Sequence, residues 1–473
     1  MSSRSGTSIP DTPEEFARWC RAAEIGTVAV GGPDVHGIWR GKRLPLDEFL
    51  DTLGRGVAIS DVIFVLGHRE ESDEGEELAE PPGGAAYRGY FPRKEHGFPD
   101  VFVRAELATA RFLSWHDRTL GILGGFYLES GDRLPIDVRG VLARQLDRAA
   151  ELGYLARFAF EYEFYAFRGD ARSLRDSGYR LDPIRVRPYI YGVYGGSLEE
   201  PLMAEVRRGL EAAGVPIEAS SPETGAGQFE LNIRHAEGLR AADDAFIFKH
   251  GVKEMLAQRG LIASFMAKPR TRWSGSSCHV HQSLWSAESG DNVLGDPSDP
   301  LGLSDVGRTY IGGLLATLPE LTAIFWPTPN SYKRNVPYSW AGTTVSWGHD
   351  NRTTGLRTVT TSPSATRVEH RVPGADSNSY LVAAACLAGG LHGIETKAAA
   401  PDPVAGDAYA EPDLEPLPRN LDDALDSLAS STLARDLLGA DFVEYYVALK
   451  RHEAEQYRRH VSDWEVERYI EMA

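Results

Sequence analysis

The chain has 473 residues and a formal net charge of −18, from 50 basic and 68 acidic residues. This acidic balance, without a Lys/Arg-rich run, argues against a nucleic-acid partner. Three widely spaced cysteines, Cys20, Cys278 and Cys386, form no disulfide framework and indicate a reducing cytoplasm. Residues 1–15 are polar, and the longest apolar run, near residues 380–391, is too short to span a bilayer. We therefore expect a cytoplasmic protein with no membrane partner.

The first part of the chain, residues 1–110, has the pattern of a small α/β unit. Residues 27–30 and 37–40 are β-prone and flank a Gly-Gly-Pro-Asp turn, and residues 46–53 have helical apolar spacing. Residues 70–84 are acidic and interrupted by Gly and Pro, which is typical of a solvated loop.

The second part, residues 111–473, has longer and more regular helical patterns. Apolar residues at three-and-four spacing predict amphipathic helices over residues 138–152, 202–213, 244–258 and 305–325. Ser304 is expected to be the N-cap of the last of these. The tail after Leu421 is helical again, with Phe442 and Tyr446 on its apolar face.

Short strands between these helices carry an unusual alternation. Four segments place charged or metal-competent side chains on one face and, for the most part, apolar side chains on the other. They are residues 158–165 (FAFEYEFY), 228–234 (QFELNIR), 278–283 (CHVHQS) and 367–371 (RVEHR).

Each segment alone has a simpler explanation. A Glu-x-Glu strand usually lies at a solvated edge, and a His-x-His pair is more often in the core or at the surface than on a metal. Together the segments favour a site, because burying Glu161, Glu163, Glu230 and Glu369 near one another without compensation would be very costly. Carboxylates with one imidazole favour Mg²⁺ or Mn²⁺ over Zn²⁺. With arginines nearby, such a site suits phosphoryl transfer.

These residues belong to an ordered set of motifs that resembles the glutamine synthetase family over nearly the whole chain. The motifs are residues 34–42 (DVHGIWRGK), 161–164 (EYEF), 222–230 (PETGAGQFE), 268–269 (KP), 275–281 (GSSCHVH), 330–334 (NSYKR), 351–357 (NRTTGLR) and 367–371 (RVEHR). The resemblance implies an α+β fold: a β-grasp-like N-terminal domain over residues 1–110, and a catalytic domain over residues 111–473 with a curved antiparallel sheet flanked by helices. It also implies a homo-oligomer, usually a dodecamer of two hexameric rings, with active sites between subunits.

The resemblance assigns roles to individual residues. Two metal ions would be held, one nearer glutamate by Glu163, Glu223 and Glu230, and one bridging ATP phosphates by Glu161, His279 and Glu369. Substrate glutamate would contact Arg334, Arg371 and Gly275. Arg352 and Arg357 would stabilise the phosphoryl group in flight. The nucleotide would contact His235, His281, Ser283, Arg352 and Arg367. In the family's reaction ATP phosphorylates the glutamate γ-carboxylate, and ammonia then displaces phosphate.

Two departures from the family pattern concern the amine. The family's flap carries a glutamate that encloses ammonium, and Trp340 occupies that position here. The Asp-Gly-Ser-Ser segment that supplies a second ammonium-binding carboxylate is missing, and residues 56–61 lie in its region. We therefore expect an organic primary amine as substrate, as in the branch that glutamylates polyamines, ethanolamine or other amines, with Trp340 at the amine site.

The group that deprotonates the amine is left open by the sequence. An alkyl amine must lose a proton before it attacks, and Asp61 or a carboxylate from residues 70–80 could accept it. An aromatic amine is neutral at pH 7 and needs no such base, so aliphatic and aromatic amines both remain possible. The tyrosine whose adenylylation regulates ammonia-assimilating members has no counterpart in residues 416–421.

Three alternatives compete with an amine ligase. A true glutamine synthetase would use ammonia. A non-catalytic family member would bind only nucleotide or partners, although a complete set of buried charges argues against an idle site. A dinuclear amidohydrolase is suggested by the pair His279 and His281 alone, but that pair lies mid-chain with carboxylate partners.

Overall fold

The structure is a computed structural model that describes residues 9–67 and 78–472. Its helices are α1 (Pro13–Ala22), α2 (Leu46–Leu50), α3 (Val138–Glu151), α4 (Ala171–Asp176), α5 (Val193–Leu198), α6 (Glu200–Ala212), α7 (Gly238–Ala257), α8 (Asp305–Phe325), α9 (Ser379–Thr396), α10 (Leu421–Ser430), α11 (Thr432–Leu438), α12 (Ala440–Arg459) and α13 (Asp463–Tyr469). Its strands are β1 (Thr27–Pro33), β2 (Trp39–Pro45), β3 (Val57–Ser60), β4 (Asp100–Ala105), β5 (Arg111–Phe112), β6 (Thr119–Tyr127), β7 (Tyr154–Arg168), β8 (Ile217–Pro222), β9 (Gln228–Ile233), β10 (Ala236–Glu237), β11 (Leu261–Ser264), β12 (Cys278–Ser286), β13 (Trp347–His349), β14 (Leu356–Val359) and β15 (Arg367–His370). Helices and two separate sheets confirm the predicted α+β class.

The four helices predicted in the second part correspond to α3, α6, α7 and α8. Ser304 caps α8 as expected, since its Oγ accepts a hydrogen bond from the N–H of Gly307 at 3.0 Å. Helix α7 begins at Gly238, earlier than predicted. Buried Asp243 and Asp244 interrupt the apolar pattern there, and each is paired with an arginine that a sequence pattern does not show.

The first sheet has the strand order β2-β1-β6-β4-β3, with β5 paired to β6. Strand β1 runs antiparallel to β2 and parallel to β6. The turn between β1 and β2 lies later than predicted, because β1 continues to Pro33 and the side chain of Asp34 accepts the backbone N–H of His36 and Ile38, both at 2.9 Å. Since β6 ends at Tyr127, this sheet extends past residue 110, and the division of the chain at that residue stays a prediction.

The second sheet has the order β13-β14-β15-β12-β7-β9-β8, and β10 and β11 also pair with β7. One face of β7 and β12 packs against helices. Tyr162 of β7 stacks on Phe248 of α7 with ring centroids 5.5 Å apart, and the hydroxyl of Tyr310 of α8 donates to Gln282 of β12 at 2.5 Å. The opposite face is therefore the one that carries the alternating charged side chains.

The helical tail completes the core. Phe442 and Tyr446 of α12 are buried, as predicted, and the hydroxyl of Tyr446 donates to the carbonyl of Ala323 at 2.7 Å. The acidic segment predicted as a loop lies partly outside the described residues, and residues 78–83 are neither helix nor strand. Within the described part of the chain, no helix combines the length and apolar character needed to cross a membrane.

Candidate active site

The polar face of the second sheet gathers three acids and an imidazole from three adjacent strands. Glu161 on β7 lies opposite His279 on β12 and Asn232 on β9. Glu163, two residues further along β7, lies opposite Glu230 on β9. Because residues i and i+2 of a strand point to the same face, these side chains share one space.

Glu369 joins this group from β15. It lies opposite His281 of β12 and Arg357 of β14. Its Oε1 accepts a hydrogen bond from Nη1 of Arg371 at 2.5 Å, and its Oε2 accepts one from Nη1 of Arg357 at 2.8 Å. Burial alone would raise the pKa of Glu369, but the charge of Arg371 and the nearby imidazoles lower that pKa to about 2. Glu369 is therefore a buried, ionised carboxylate between two guanidinium groups.

Glu161, His279 and Glu369 have the geometry to hold one divalent ion. One ligand atom from each lies within 4.8 Å of the other two. Nδ1 of His279 is 2.9 Å from Oε1 of Glu161 and 3.5 Å from Oε1 of Glu369. Two carboxylates and an imidazole suit Mg²⁺ or Mn²⁺. The trio is the one that the resemblance assigns to the phosphate-bridging ion.

A second acidic group lies beside the first. Glu163 accepts hydrogen bonds from the hydroxyl and the backbone N–H of Ser277, at 2.5 and 3.0 Å. Burial and the neighbouring carboxylates raise the pKa of Glu230 to about 9, and burial with the charge of Glu163 raises the pKa of Glu223 to about 7. These raised pKa values mean that, without a bound cation, burial and mutual repulsion favour the protonated forms of these carboxyl groups. Three carboxylates are ligands that a second divalent ion would accept, and the metal role of Glu163, Glu223 and Glu230 stays a prediction.

A cavity of about 750 Å³ opens beside Glu161. Its lining includes every residue that the resemblance assigns to the nucleotide and to the transferring phosphoryl group: His235, His281, Ser283, Arg352, Arg357 and Arg367. Nε of Arg367 contacts Nδ1 of His281 at 3.2 Å, which joins the β12 and β15 sides of the cavity. The structure thus brings the six together, and their contacts with ATP stay predictions.

The same cavity contains a pair that the sequence analysis missed. The guanidinium of Arg157 lies 4.0 Å from the ring centroid of Trp285, whose Nε1 donates to Oγ of Ser283 at 3.0 Å. Both residues continue the period of two, from Glu161 back to Arg157 and from His281 on to Trp285. Extending the alternation to the strand ends would have found them.

Two further residues support the site: Asn232 lies in the polar alternation of residues 228–234, and Asp350 has no recognisable sequence signal. Nδ2 of Asn232 donates to Oε2 of Glu161 at 2.7 Å. Oδ1 of Asp350 accepts hydrogen bonds from Nε and Nη2 of Arg357, at 2.9 and 2.5 Å. Arg357 is therefore held between Asp350 on one side and Glu369 on the other. Asp350 follows no periodic pattern in the sequence, so its contact with Arg357 is visible only in the folded structure.

Arg334 and Gly275, both predicted to contact glutamate, lie against each other. The buried guanidinium of Arg334 donates to the carbonyl oxygens of Val372 and Arg371, at 2.9 and 3.3 Å. A Cβ at Gly275 would lie 2.6 Å from Cγ of Arg334, so glycine provides the space that the arginine fills. Arg334, Arg371 and Gly275 therefore form one group beside the acids.

Trp340 lies on the segment of residues 335–342, which we name the flap. Tyr338 and Trp340 have left-handed backbone conformations, with φ of 63° and 62°, and the two residues are 68% and 60% exposed. Nη2 of Arg371 donates to the carbonyl of Trp340 at 3.3 Å. This hydrogen bond places the flap backbone next to an arginine predicted to bind glutamate.

Asp61, one predicted base for the amine, lies at the end of β3 in the first sheet. It is 3% exposed, and its Oδ2 accepts a hydrogen bond from the hydroxyl of Tyr90 at 3.3 Å. Burial raises the pKa of Asp61 to about 6. The other predicted source of a base, residues 70–80, lies mostly outside the described residues.

Comparison with known proteins shows which chains this one resembles. The glutamine synthetase catalytic domain matches residues 135–469. A glutamate–isopropylamine ligase from Pseudomonas sp. is 38% identical over 95% of both chains. A γ-glutamylethanolamide synthetase from Streptomyces coelicolor is 35% identical over 97% of this chain and 95% of its own. The solved GmaS/ADP complex superposes with a TM-score of 0.82 at 28% identity, covering 96% of this chain and 99% of that one.

The two named amine ligases match almost end to end, and the catalytic-domain match includes both acidic groups, the cavity and the flap. These matches confirm the predicted resemblance and the predicted enzyme class. The chain belongs to the glutamine synthetase family, in which it is an ATP-dependent carbon–nitrogen ligase that fits the γ-glutamyl-amine ligase branch.

Proposed function

We propose that the enzyme joins the γ-carboxylate of L-glutamate to an organic primary amine, with ATP as the energy source and γ-glutamyl phosphate as the intermediate. The observation that carries this proposal is the flap: an aromatic side chain, Trp340, stands at the position where the family's ammonium-binding glutamate is expected, beside a complete set of acids and arginines. A bulky ring favours contact with an organic substituent over enclosure of a small cation. The names of the two amine ligases described above support the same substrate class.

The acids would organise the nucleotide phosphates through metal ions. Glu161, His279 and Glu369 would hold one ion, and the group of Glu163, Glu223 and Glu230 would hold the other. When bound, Mg²⁺ or Mn²⁺ supplies positive charge for phosphate oxygens. The close ligand atoms of the first trio and the raised carboxylate pKa values of the second group support this assignment.

The arginines would bind the two reacting groups. Arg334 and Arg371, with the space left by Gly275, would hold the carboxylates of glutamate, because a planar guanidinium matches a carboxylate. Arg352 and Arg357 line the cavity next to Glu161, where they would stabilise charge on the phosphoryl group. The remaining cavity residues, His235, His281, Ser283 and Arg367, would contact the nucleotide.

We also propose a homo-oligomer, a dodecamer of two hexameric rings, in the cytoplasm. Exposed large apolar side chains outside the flap include Val186 and Val193, and Trp464 and Ile470. Where exposed apolar side chains form a contiguous patch, another protein commonly covers it. The buried free cysteines suit a reducing compartment. Size-exclusion chromatography with multi-angle light scattering tests the oligomer, and a monomer at micromolar concentration would contradict it.

A phosphate-release screen tests the reaction. Purified enzyme with glutamate, ATP and Mg²⁺ is offered ammonium, alkyl monoamines, diamines, ethanolamine or anilines, and mass spectrometry identifies the product. We expect an organic amine to give a γ-glutamylamide faster than ammonium gives glutamine. Glu163→Ala should abolish turnover and weaken metal binding while the fold is retained. Turnover fastest with ammonium would favour a true glutamine synthetase, and no turnover with any amine would favour a non-catalytic protein.

A further inference from the structure

Residues 397–420, which we name the connector, join α9 to α10 and make specific contacts with the flap. The hydroxyl of Tyr409 donates a hydrogen bond to the carbonyl of Ala341 at 2.8 Å. The ring of Tyr409 lies 5.1 Å from the ring of Tyr338, tilted by 46°. One tyrosine of the connector therefore contacts the flap twice, once through its hydroxyl and once through its ring.

The connector itself is fixed to the chain that follows the flap. The backbone N–H of Leu417 donates to the carbonyl of Thr343 at 3.1 Å, and the N–H of Val345 donates to the carbonyl of Glu415 at 2.8 Å. Nε1 of Trp347 also donates to the carbonyl of Pro401 at 2.8 Å. These hydrogen bonds fix the connector near both of its ends, and Tyr409 lies between them.

The flap needs such support because its own backbone is unfavourable. Tyr338 and Trp340 both have positive φ, which side chains other than glycine rarely adopt. Oγ of Ser339 donates to the carbonyl of Val336 within the flap at 2.5 Å, and to that of Arg334, just before the flap, at 3.1 Å. The carbonyls of Trp340 and Ala341 instead accept from outside the flap, from Arg371 and Tyr409.

These two outside donors differ in chemistry. Arg371 belongs to the predicted glutamate site and also binds Glu369. Its hydrogen bond to the flap therefore cannot be removed by substitution without also changing the predicted glutamate site. Tyr409 is half-buried, and burial raises its pKa, so its hydroxyl keeps its proton and remains a donor at neutral pH. Tyr409 is thus the contact that can be removed without changing a predicted ligand.

We propose that Tyr409 is a positioning residue that fixes the flap and so determines which organic amines the enzyme accepts. This inference rests on the proposed amine-ligase function. Tyr409 acts through Ala341 and Tyr338 to hold Trp340 in one place, so that an amine meets a preformed aromatic surface. Without Tyr409 the flap loses its anchor from the connector, while the metal, glutamate and nucleotide groups keep their contacts.

Tyr409→Phe tests the hydroxyl alone, because phenylalanine keeps the ring beside Tyr338. Loss of one hydrogen bond of ordinary strength predicts a rise in KM for the preferred amine of about fivefold, with little change in KM for ATP or glutamate. Tyr409→Ala removes both contacts and should raise KM for the amine further and flatten the preference among amines. Equal changes in all three KM values, or none, would overturn the proposal.

Tyr446→Phe is the matched control. It removes a buried tyrosine–carbonyl hydrogen bond of similar length, to Ala323, in the helical core. We expect it to lower thermal stability without changing the order of amine preference. A change of amine preference in this control as large as that of Tyr409→Phe would mean that a general loss of stability, rather than the flap, is responsible.

Hydrogen exchange separates this proposal from the proposed function. In Tyr409→Phe, amide exchange in a peptide covering residues 335–343 should be faster than in the wild-type enzyme, and peptides from β7 and β12 should be unchanged. This readout needs no substrate, so it stands even if no amine is turned over. Unchanged exchange at the flap would refute the anchoring role, whereas absent turnover with faster exchange would refute only the amine-ligase function.

Discussion

The two sides of the candidate active site are built in different ways. The acids and most of their partners stand on paired strands, so their places follow from the strand register, as with Glu161 opposite His279 and Glu163 opposite Glu230. The flap instead holds Trp340 on an irregular segment with positive φ, fixed by hydrogen bonds from Arg371 and Tyr409. The sheet side suits a reaction step shared by a whole family, and the flap side suits a choice of substrate that can differ among its members.

The strongest test of this contrast is Glu369→Gln on the sheet side. The glutamine keeps the shape but removes the charge that pairs with Arg357 and Arg371 and lies beside His279. We expect turnover to fall by about 100-fold or more with every amine, measured as phosphate release. Glu395→Gln, which removes an ion pair with Arg148 at the end of α9, is the control and should leave turnover unchanged. A loss confined to some amines would contradict the division of roles.

Trp340→Glu tests the flap side. A carboxylate at this position should favour a small cation over a bulky amine, so the ratio of kcat/KM for ammonium to that for the best organic amine should rise by about tenfold. Trp340→Phe keeps an aromatic ring and should retain most of the preference for organic amines. If both variants leave the ratio as in the wild-type enzyme, Trp340 does not contact the amine.

A last test concerns the dependence of stability on pH in metal-free protein. The pKa of Glu230 is raised to about 9, far above the value of an exposed glutamate, so the folded state keeps a proton that the unfolded state releases. The free energy of unfolding should therefore fall as pH rises toward 9, by about 1.4 kcal/mol per pH unit for this one group.

Thermal denaturation with and without Mg²⁺ at pH 6 and pH 8 measures this dependence. Metal should stabilise the protein more at pH 8, where fewer protons compete for the carboxylates. Glu230→Gln provides the control, because it removes the titrating group and should flatten the pH profile. A profile in Glu230→Gln as steep as in the wild-type enzyme would assign the dependence to another group.

The contrast between regular strands and the irregular flap also explains which features could be predicted from the sequence. Alternation in β7, β9, β12 and β15 identified the acidic face, because a period of two depends only on the strand itself. The sequence predicts helix α8 with its N-cap, because apolar residues recur along the helix and Ser304 directly precedes it. These features are local, and local patterns are what a single sequence records most directly.

Other features depend on partners distant in the chain. The early start of α7 reflects buried aspartates paired with arginines from other elements, including Asp243 with Arg139. Asp350 and Tyr409 act through contacts that only the folded chain creates. The connector that contains Tyr409 is rich in Pro and Asp, a composition that matches many surface loops. The composition of such a segment therefore does not reveal which other part of the chain it contacts.

The central position of β7 has a consequence for insertions and deletions. Removing one residue from the start of this strand would shift its pairing by one place, and each side chain would then point to the opposite face. Phe160 and Tyr162 would turn toward the cavity, and Glu161 and Glu163 would turn into the layer packed against α7. A change in length of one residue in β7 is thus expected to be more damaging than several substitutions elsewhere. The loops that follow β15 have no alternation of faces, so a change in their length does not reverse the direction of side chains.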